Sequence, residues 1–393
     1  MFSQTDKRGI TINRTILLKF VLGRLNYFLL TLETWKLQGD KTMHTCYNPI
    51  YCFLPPYVLD HLVESDDPEV RRLAVEAIAA AAEARAIRTT LAAMPMMSAI
   101  PSPAAAKHRL IYDMLHRQSH FFLPGKLVRS EGEPATNDEA IDEAYDHSGI
   151  VYDFYAAIFG RNSLDNRGMS LISSVHFGRR YNNAFWNGEQ MAYGDGDGRI
   201  FIRFTKALDV VGHELTHGVI THESNLVYRD EPGALNEHFS DVMGALVEQW
   251  YLKETADEAD WLIGEDIMGS DVSAKCLRTF KGEKAYESDP LLGTDPQPKH
   301  VRDKYTGNND NGGVHINSGI PNHAFYRVAK ELGGYTWDKA GRIWYKTLRN
   351  LNQFSYFQDA AQMTYQVAGA DYGIGSIEQQ AVKNGWDAVG ITV

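Results

Sequence analysis

The chain has 393 residues, 44% of them hydrophobic and 23% charged, with a formal net charge of −11. That length and apolar content suit a globular protein of two or three domains, and the acidic balance without a Lys/Arg stripe excludes nucleic acid as an expected partner. Cys46, Cys52 and Cys276 cannot all pair, so no disulfide framework holds the fold. Cys46 and Cys52 read as two thiols rather than a pair or a metal half-site, and Cys276 as a small buried residue.

In chain order, residues 1–42 are an N-terminal extension of uncertain status. The apolar run from Ile16 to Leu32 carries Lys19 and Arg24 and is followed by no small-residue cleavage site, so stable membrane insertion is not expected and a signal peptide stays an open question. After Pro55-Pro56 a helix is predicted, with Asp67 as its cap, Pro68 in its first turn and an apolar face of Val70, Leu73, Ala74, Ala77, Ile78 and Ala81. It stops at Met94-Pro95, and MSAIPSPAAAK is the strongest linker in the sequence. Residues 43–106 thus form a short helical segment with its linker. A helix-like stretch from Asp138 to Arg161 and the β-type runs SLISSVHF, AFWNGEQMAYGDG and RIFIRF make residues 107–208 a β-rich lobe. From Asp209 to the C-terminus, ALDVVGHELTHGVITHES, PGALNEHFSDVMGALVEQWYL and IPNHAFYRVAKELG carry helical periodicity, so residues 209–393 form a mainly helical lobe and the fold class is α+β.

His213-Glu214-Leu215-Thr216-His217 fits the HExxH pattern. Two histidines four apart on a helix project from one face and can grip one zinc, while Glu214 lies where a carboxylate can take a proton from a metal-bound water. Alone, the pattern also fits a helix with two satisfied histidines. A catalytic zinc takes three protein ligands and keeps one open position. Glu237, in GALNEHFSD, supplies the third ligand, and Asp241 one turn on can hydrogen-bond a ligating imidazole. This second helix is otherwise largely apolar, and carboxylates buried in it need a partner. His315, in DNGGVHINSG, is a loop histidine ahead of a helix, a usual position for a proton donor or transition-state stabiliser.

With these residues in view, the sequence resembles the thermolysin-like neutral metalloproteases. The matching segments are YNNAFWNG, YGDGDG, DVVGHELTHGV, GALNEHFSD, GEDI and DNGGVHINSGIPN, in order through nearly all of residues 107–393. The resemblance implies two lobes, β-rich and helical, with a zinc site in the cleft between them. It implies zinc on His213, His217 and Glu237, Glu214 as general base, and Asp241 and Asn236 behind the ligands. Tyr228 and His315 are implied to stabilise the oxyanion with Asp310 orienting His315. Asn183 and Ala184 are implied to bind the substrate backbone and Arg278 its carbonyl. The implied activity is endopeptidase cleavage of proteins and peptides before bulky apolar residues, by a monomer, secreted by family habit, with a cytoplasmic location as the alternative since no clear signal peptide is visible.

Two departures matter. The family's calcium site matches Asp209, Glu248, Asp260 and Glu265, but Leu262 stands where another acid is expected, and calcium takes six to eight oxygens, so a partly solvated acidic cluster competes with a Ca²⁺ site. The N-terminal region is short and carries PPYVL, which looks like the prosegment of the protealysin-like subgroup. It implies that the chain's own propeptide inhibits it until the linker is cut; a capping helix that never leaves is the competing reading. An exopeptidase would need a group to capture a free amino terminus, and none is apparent. A non-catalytic zinc module has no reason to keep Glu214, His315 and Asp310 together.

Overall fold

The computed structural model describes residues 51–91 and 107–393. The N-terminal extension, Cys46 and nearly all of the expected linker lie outside the described residues.

The described chain opens with a two-residue strand, β1 (Tyr51–Cys52), and Pro55 then turns it into helix α1 (Pro56–Val63). Proline suits a helix start, where the amide it lacks would have no partner. α1 buries Val58, Leu59 and Leu62. Asp67 Oδ1 accepts the Glu69 amide at 2.9 Å, opening α2 (Pro68–Leu91) at the expected cap. Of the apolar stripe read from the sequence, Val70, Leu73, Ala74, Ala77 and Ala81 are buried and Ile78 is half-buried.

A sheet follows, built from β2 (Arg109–Asp113), β3 (Lys126–Ser130), β4 (Leu171–Val175), β5 (Ala184–Trp186) and β6 (Met191–Tyr193), with β1 as its outermost strand in the order β1-β5-β6-β4-β2-β3. β2, β4 and β6 run parallel, whereas β1 pairs antiparallel with β5, setting Tyr51 opposite Trp186 and Cys52 opposite Phe185. Helix α3 (Glu139–Phe159) packs on this sheet, capped by the Asp138 side chain at one end. The run RIFIRF departs from its β reading. Only Phe201 bridges, to Met268, because Asp197 Oδ1 accepts the amides of Arg199, Ile200 and Phe201 and closes a turn there.

The helical part comprises α4 (Leu208–His222), α5 (Asp230–Leu252), α6 (Asp310–Asn317), α7 (Gly319–Leu332), α8 (Ala340–Leu348), α9 (Phe357–Tyr372) and α10 (Ile377–Ala388), with a small antiparallel pair, β7 (Leu262–Ile263) and β8 (Arg278–Thr279). α4 and α5 meet at Gly212 and Gly244. A Cβ on Gly212 would come within 3.0 Å of the Gly244 Cα, and one on Gly244 within 2.5 Å of the Asp209 carbonyl oxygen. Only glycine permits that approach. It brings the polar positions of two buried helices face to face. Among the described residues no helix is long and apolar enough to cross a membrane.

Candidate metal centre

α4 is buried from Leu208 to Ile220 and α5 from Pro232 to Val247, so every polar side chain between them needs a partner. His213 Nδ1 donates to Asp241 Oδ1 at 2.8 Å, and His217 Nδ1 donates to Asn236 Oδ1 at 2.8 Å, with Ser240 Oγ at 3.0 Å. Those bonds fix the tautomers and leave both Nε2 lone pairs aimed at one point. The two Nε2 atoms are 3.1 Å apart, and each is 3.5 Å from a Glu237 oxygen. A tetrahedral zinc with bonds of about 2.0–2.2 Å needs donor atoms roughly 3.3–3.6 Å apart. Glu237 Oε2 is buried with no hydrogen-bond partner, the state a missing metal bond would leave. The three donors therefore fit zinc.

Glu214, one residue beyond His213 on α4, is fully buried. Burial first, then the charge of Glu237, raises its carboxyl well above the usual range, with the Trp186 backbone amide pulling the other way. Asp241 is equally buried, yet Arg278 and His213 hold it well below the ordinary carboxylate value. Arg278, on β8, reaches Asp241 through Nη2 at 2.8 Å and Nε at 3.0 Å. Asn322 Nδ2 donates to the same carboxylate at 2.9 Å. Asn322 Oδ1 in turn accepts from His238 Nδ1 at 2.7 Å, and His238 Nε2 accepts the Trp344 indole N–H at 2.8 Å.

His315 comes from α6, whose start is not helical: Asn311, Gly312 and Gly313 have φ of 51°, 86° and 82°. Backbone sign favours glycine at both positions, and a Cβ at Gly313 would also lie 2.6 Å from the Tyr305 ring. The glycine-rich loop expected here is thus a kinked helical turn, and His315 sits within it. Its Nδ1 donates to Asp310 Oδ1 at 2.6 Å, and its own amide donates to Oδ2 at 2.8 Å. Nε2 lies 3.1 Å from Tyr228 Oη and 3.6 Å from Glu237 Oε2. Burial opposes its charge, but Glu237 and Asp310 outweigh burial and push the imidazole up to about 9. The Tyr228 hydroxyl donates to Glu237 Oε1.

Residues 52–54 lie across these groups. The Cys52 carbonyl accepts from His315 Nε2 at 3.0 Å, the Phe53 amide donates to the Ala184 carbonyl at 3.1 Å, and the Leu54 amide donates to Asn183 Oδ1 at 2.9 Å. Arg278 Nη1 donates to the Phe53 carbonyl at 3.2 Å. The Phe53 ring is fully buried, edge-on to the His213 imidazole at 5.2 Å and under the Arg278 guanidinium at 4.6 Å. All twelve site residues singled out in the sequence thus fall within one connected site. Asp209, Glu248, Asp260 and Glu265 gather beside it, and burial with mutual repulsion raises the carboxyls of Asp209 and Glu248. They do not form a convergent three-ligand group among the described residues. Sequence reasoning missed Ser240, Asn322, Cys52 and Phe53. Of these, Ser240 and Asn322 had a signal, since they lie in GALNEHFSD and DNGGVHINSGIPN.

Comparison with known proteins shows the family. The family model described as thermolysin metallopeptidase, catalytic domain, matches residues 103–221, and that described as thermolysin metallopeptidase, alpha-helical domain, matches residues 224–391. The chain is 44% identical over 349 residues to an extracellular metalloprotease of Pectobacterium carotovorum subsp. carotovorum, covering 88% of this chain and 97% of that one. It is 48% identical over 291 residues to protease PrtS of Photorhabdus sp. (strain Az29), covering 73% and 77%. The solved precursor of protealysin, a metalloproteinase from Serratia proteamaculans, superimposes with a TM-score of 0.78 at 45% identity, covering 87% of this chain and 100% of that one. With a sheet-containing N-terminal domain, a helical C-terminal domain and a His213/His217/Glu237 donor set, the chain belongs to the thermolysin family of zinc metalloendopeptidases.

Proposed function

We propose that this chain is a zymogen in which His213, His217 and Glu237 hold zinc, Glu214 is the general base, and residues 52–54 occupy the substrate cleft until the linker is cut. When bound, zinc activates the attacking water and polarises the scissile carbonyl. Glu214 accepts the proton of the attacking water and delivers it to the leaving amine, and its raised proton affinity suits both halves of that task. His315 Nε2–H and the Tyr228 hydroxyl donate to the carbonyl oxygen as it gains charge. Asp310 orients His315 and keeps it protonated, while Asp241 and Asn236 hold the two histidine ligands. Asn183, Ala184 and Arg278 bind the peptide backbone.

One observation carries this reading: the chain's own peptide lies over the site, with the Cys52 carbonyl on His315 and the Phe53 carbonyl on Arg278. The residue directly after the Cys52 carbonyl is a buried aromatic. That supports cleavage on the amino side of bulky apolar residues. It also supports a division into a prosegment, residues 43–106, and two catalytic lobes, 107–208 and 209–393, acting as a monomer. The extracellular metalloprotease of Pectobacterium supports secretion, which recovery of activity from medium rather than cytosol tests.

The decisive experiment is casein hydrolysis by full-length protein and by protein trimmed to about residue 107, with and without a zinc chelator. Chelator-sensitive activity should appear on trimming. Equal activity of the two forms would sink the zymogen reading, and unchanged activity in Glu214→Gln would sink the assignment of the base.

A further inference from the structure

His116, His176 and Asp195 come from separate places in the β-rich lobe: the loop after β2, the end of β4, and the YGDGDG turn after β6. Their ligand atoms all lie within 4.8 Å of one another. His116 Nδ1 is 3.5 Å from Asp195 Oδ2, within the donor spacing of roughly 3.3–3.6 Å around a tetrahedral zinc. His176 Nδ1 lies at hydrogen-bond distance from both Asp195 oxygens, 2.9 and 3.0 Å, and would move out by a few tenths of an ångström to share an ion. The two imidazole rings face the same carboxylate at a centroid separation of 5.3 Å.

Three further features suit a metal rather than a chance encounter. First, His176 uses its other nitrogen, Nε2, on Asp138 Oδ2 at 3.2 Å, the carboxylate–histidine arrangement that orients metal-ligating imidazoles. Second, the Gly178 carbonyl lies 3.2 Å from His116 Nδ1, from which it accepts in the absence of an ion, and it would be a further oxygen within reach once that proton is exchanged for a metal. Third, His116 and His176 both have left-handed backbone, with φ of 56° and 54°, a conformation uncommon for a residue with a side chain. The His116 side chain is 44% exposed, so an ion can enter directly from solvent.

We propose that His116, His176 and Asp195 form a second zinc site, remote in function from the catalytic one, with Asp138 as the carboxylate behind His176 and an open fourth position for water. Two imidazoles and one carboxylate suit zinc or a similar borderline transition metal over calcium or magnesium. The ion would tie the ends of β2 and β4 and the turn after β6 to the start of α3, since Asp138 also caps that helix.

The test is a metal count on full-length protein that already carries its catalytic zinc. Titration with Zn²⁺, read by elemental analysis after gel filtration, and with Co²⁺, read by its visible absorption, should show one further equivalent per chain. His116→Ala and Asp195→Asn should each weaken that equivalent by at least about tenfold, while leaving the first in place. A wild-type protein that takes no second equivalent would overturn the proposal and leave the cluster as a hydrogen-bonded imidazolium. Retention of the second equivalent by both variants would overturn it as well. Added Zn²⁺ should also raise the melting temperature of the wild type and not of His116→Ala, which separates loss of the site from general damage to the fold.

Discussion

Glu214 sits in a sealed environment where its charge is opposed by burial and by Glu237, and its chemistry depends on that opposition. Glu214→Gln keeps the shape of the site and removes the proton acceptor. The trimmed variant should therefore bind zinc as the wild type does while kcat falls by about 100- to 10,000-fold, a split read by steady-state kinetics beside elemental analysis. His315 gives a second prediction at this scale. Its charged form is the better donor to a developing oxyanion, and the Asp310 carboxylate is one of the groups that raise it. Activity should thus fall as pH rises through the His315 value, and Asp310→Asn should move that alkaline limb to lower pH. A limb that stays in place in the variant would remove Asp310 from its role. The ligands, the base and His315 were legible because their spacing is local or their motif distinctive. Ser240 and Asn322 lie in matching segments but were not assigned, because their contacts, Ser240 to His217 and Asn322 to Asp241, reach across elements and follow no sequence spacing.

Helices α4 and α5 were legible as elements from apolar periodicity, whereas their crossing at Gly212 and Gly244 is a tertiary fact that glycine content alone does not announce. Gly244→Ala drives a methyl towards the Asp209 carbonyl and should destabilise the fold by about 1–3 kcal/mol, as overpacking does, measurable by chemical denaturation. RIFIRF read as a strand and is a turn, since Asp197 captures amides that a ladder would have used. β1 escaped notice for the opposite reason. Two residues have no periodicity, and Tyr51–Cys52 is a strand only because β5 offers an edge. The hold of this strand on the cleft depends on the buried Phe53 ring. Phe53→Ala removes a side chain whose loss from a packed site costs about 3–5 kcal/mol. Uncut Phe53→Ala protein should therefore hydrolyse casein at least about tenfold faster than uncut wild type, and equal rates would show that the ring does not seal the site.

At the scale of the whole molecule, the order of a sheet-containing part followed by a helical part was readable from the change of periodicity after RIFIRF, whereas the Pro/Ala/Ser stretch lies almost wholly outside the described residues. The carboxyls of Asp209, buried, and Glu248, half-buried, were visible as residues but not as groups that resist ionising. Their folded values are raised, so the stability they contribute is greatest below the ordinary carboxylate range and is lost as pH rises through the raised values. A calcium ion beside them would offset that loss. The melting temperature should decline with rising pH in EGTA and decline less in calcium. Parallel curves would leave the group as a solvated acidic cluster.

The strand over the cleft belongs to the same chain as the site it covers. Before any cut, its binding is unimolecular: the local concentration of Phe53 at its pocket is fixed by the tether and does not change on dilution. Uncut protein should be as silent at low concentration as at high. After a cut between α2 and β2, the same contacts, including the Arg199–Asp67 and Arg180–Glu69 ion pairs, must hold a separate fragment, and occupancy becomes a matter of mass action. Cleavage alone would then not be activation. A concentrated, nicked sample would stay partly inhibited by its own released segment, and diluting it would switch it on.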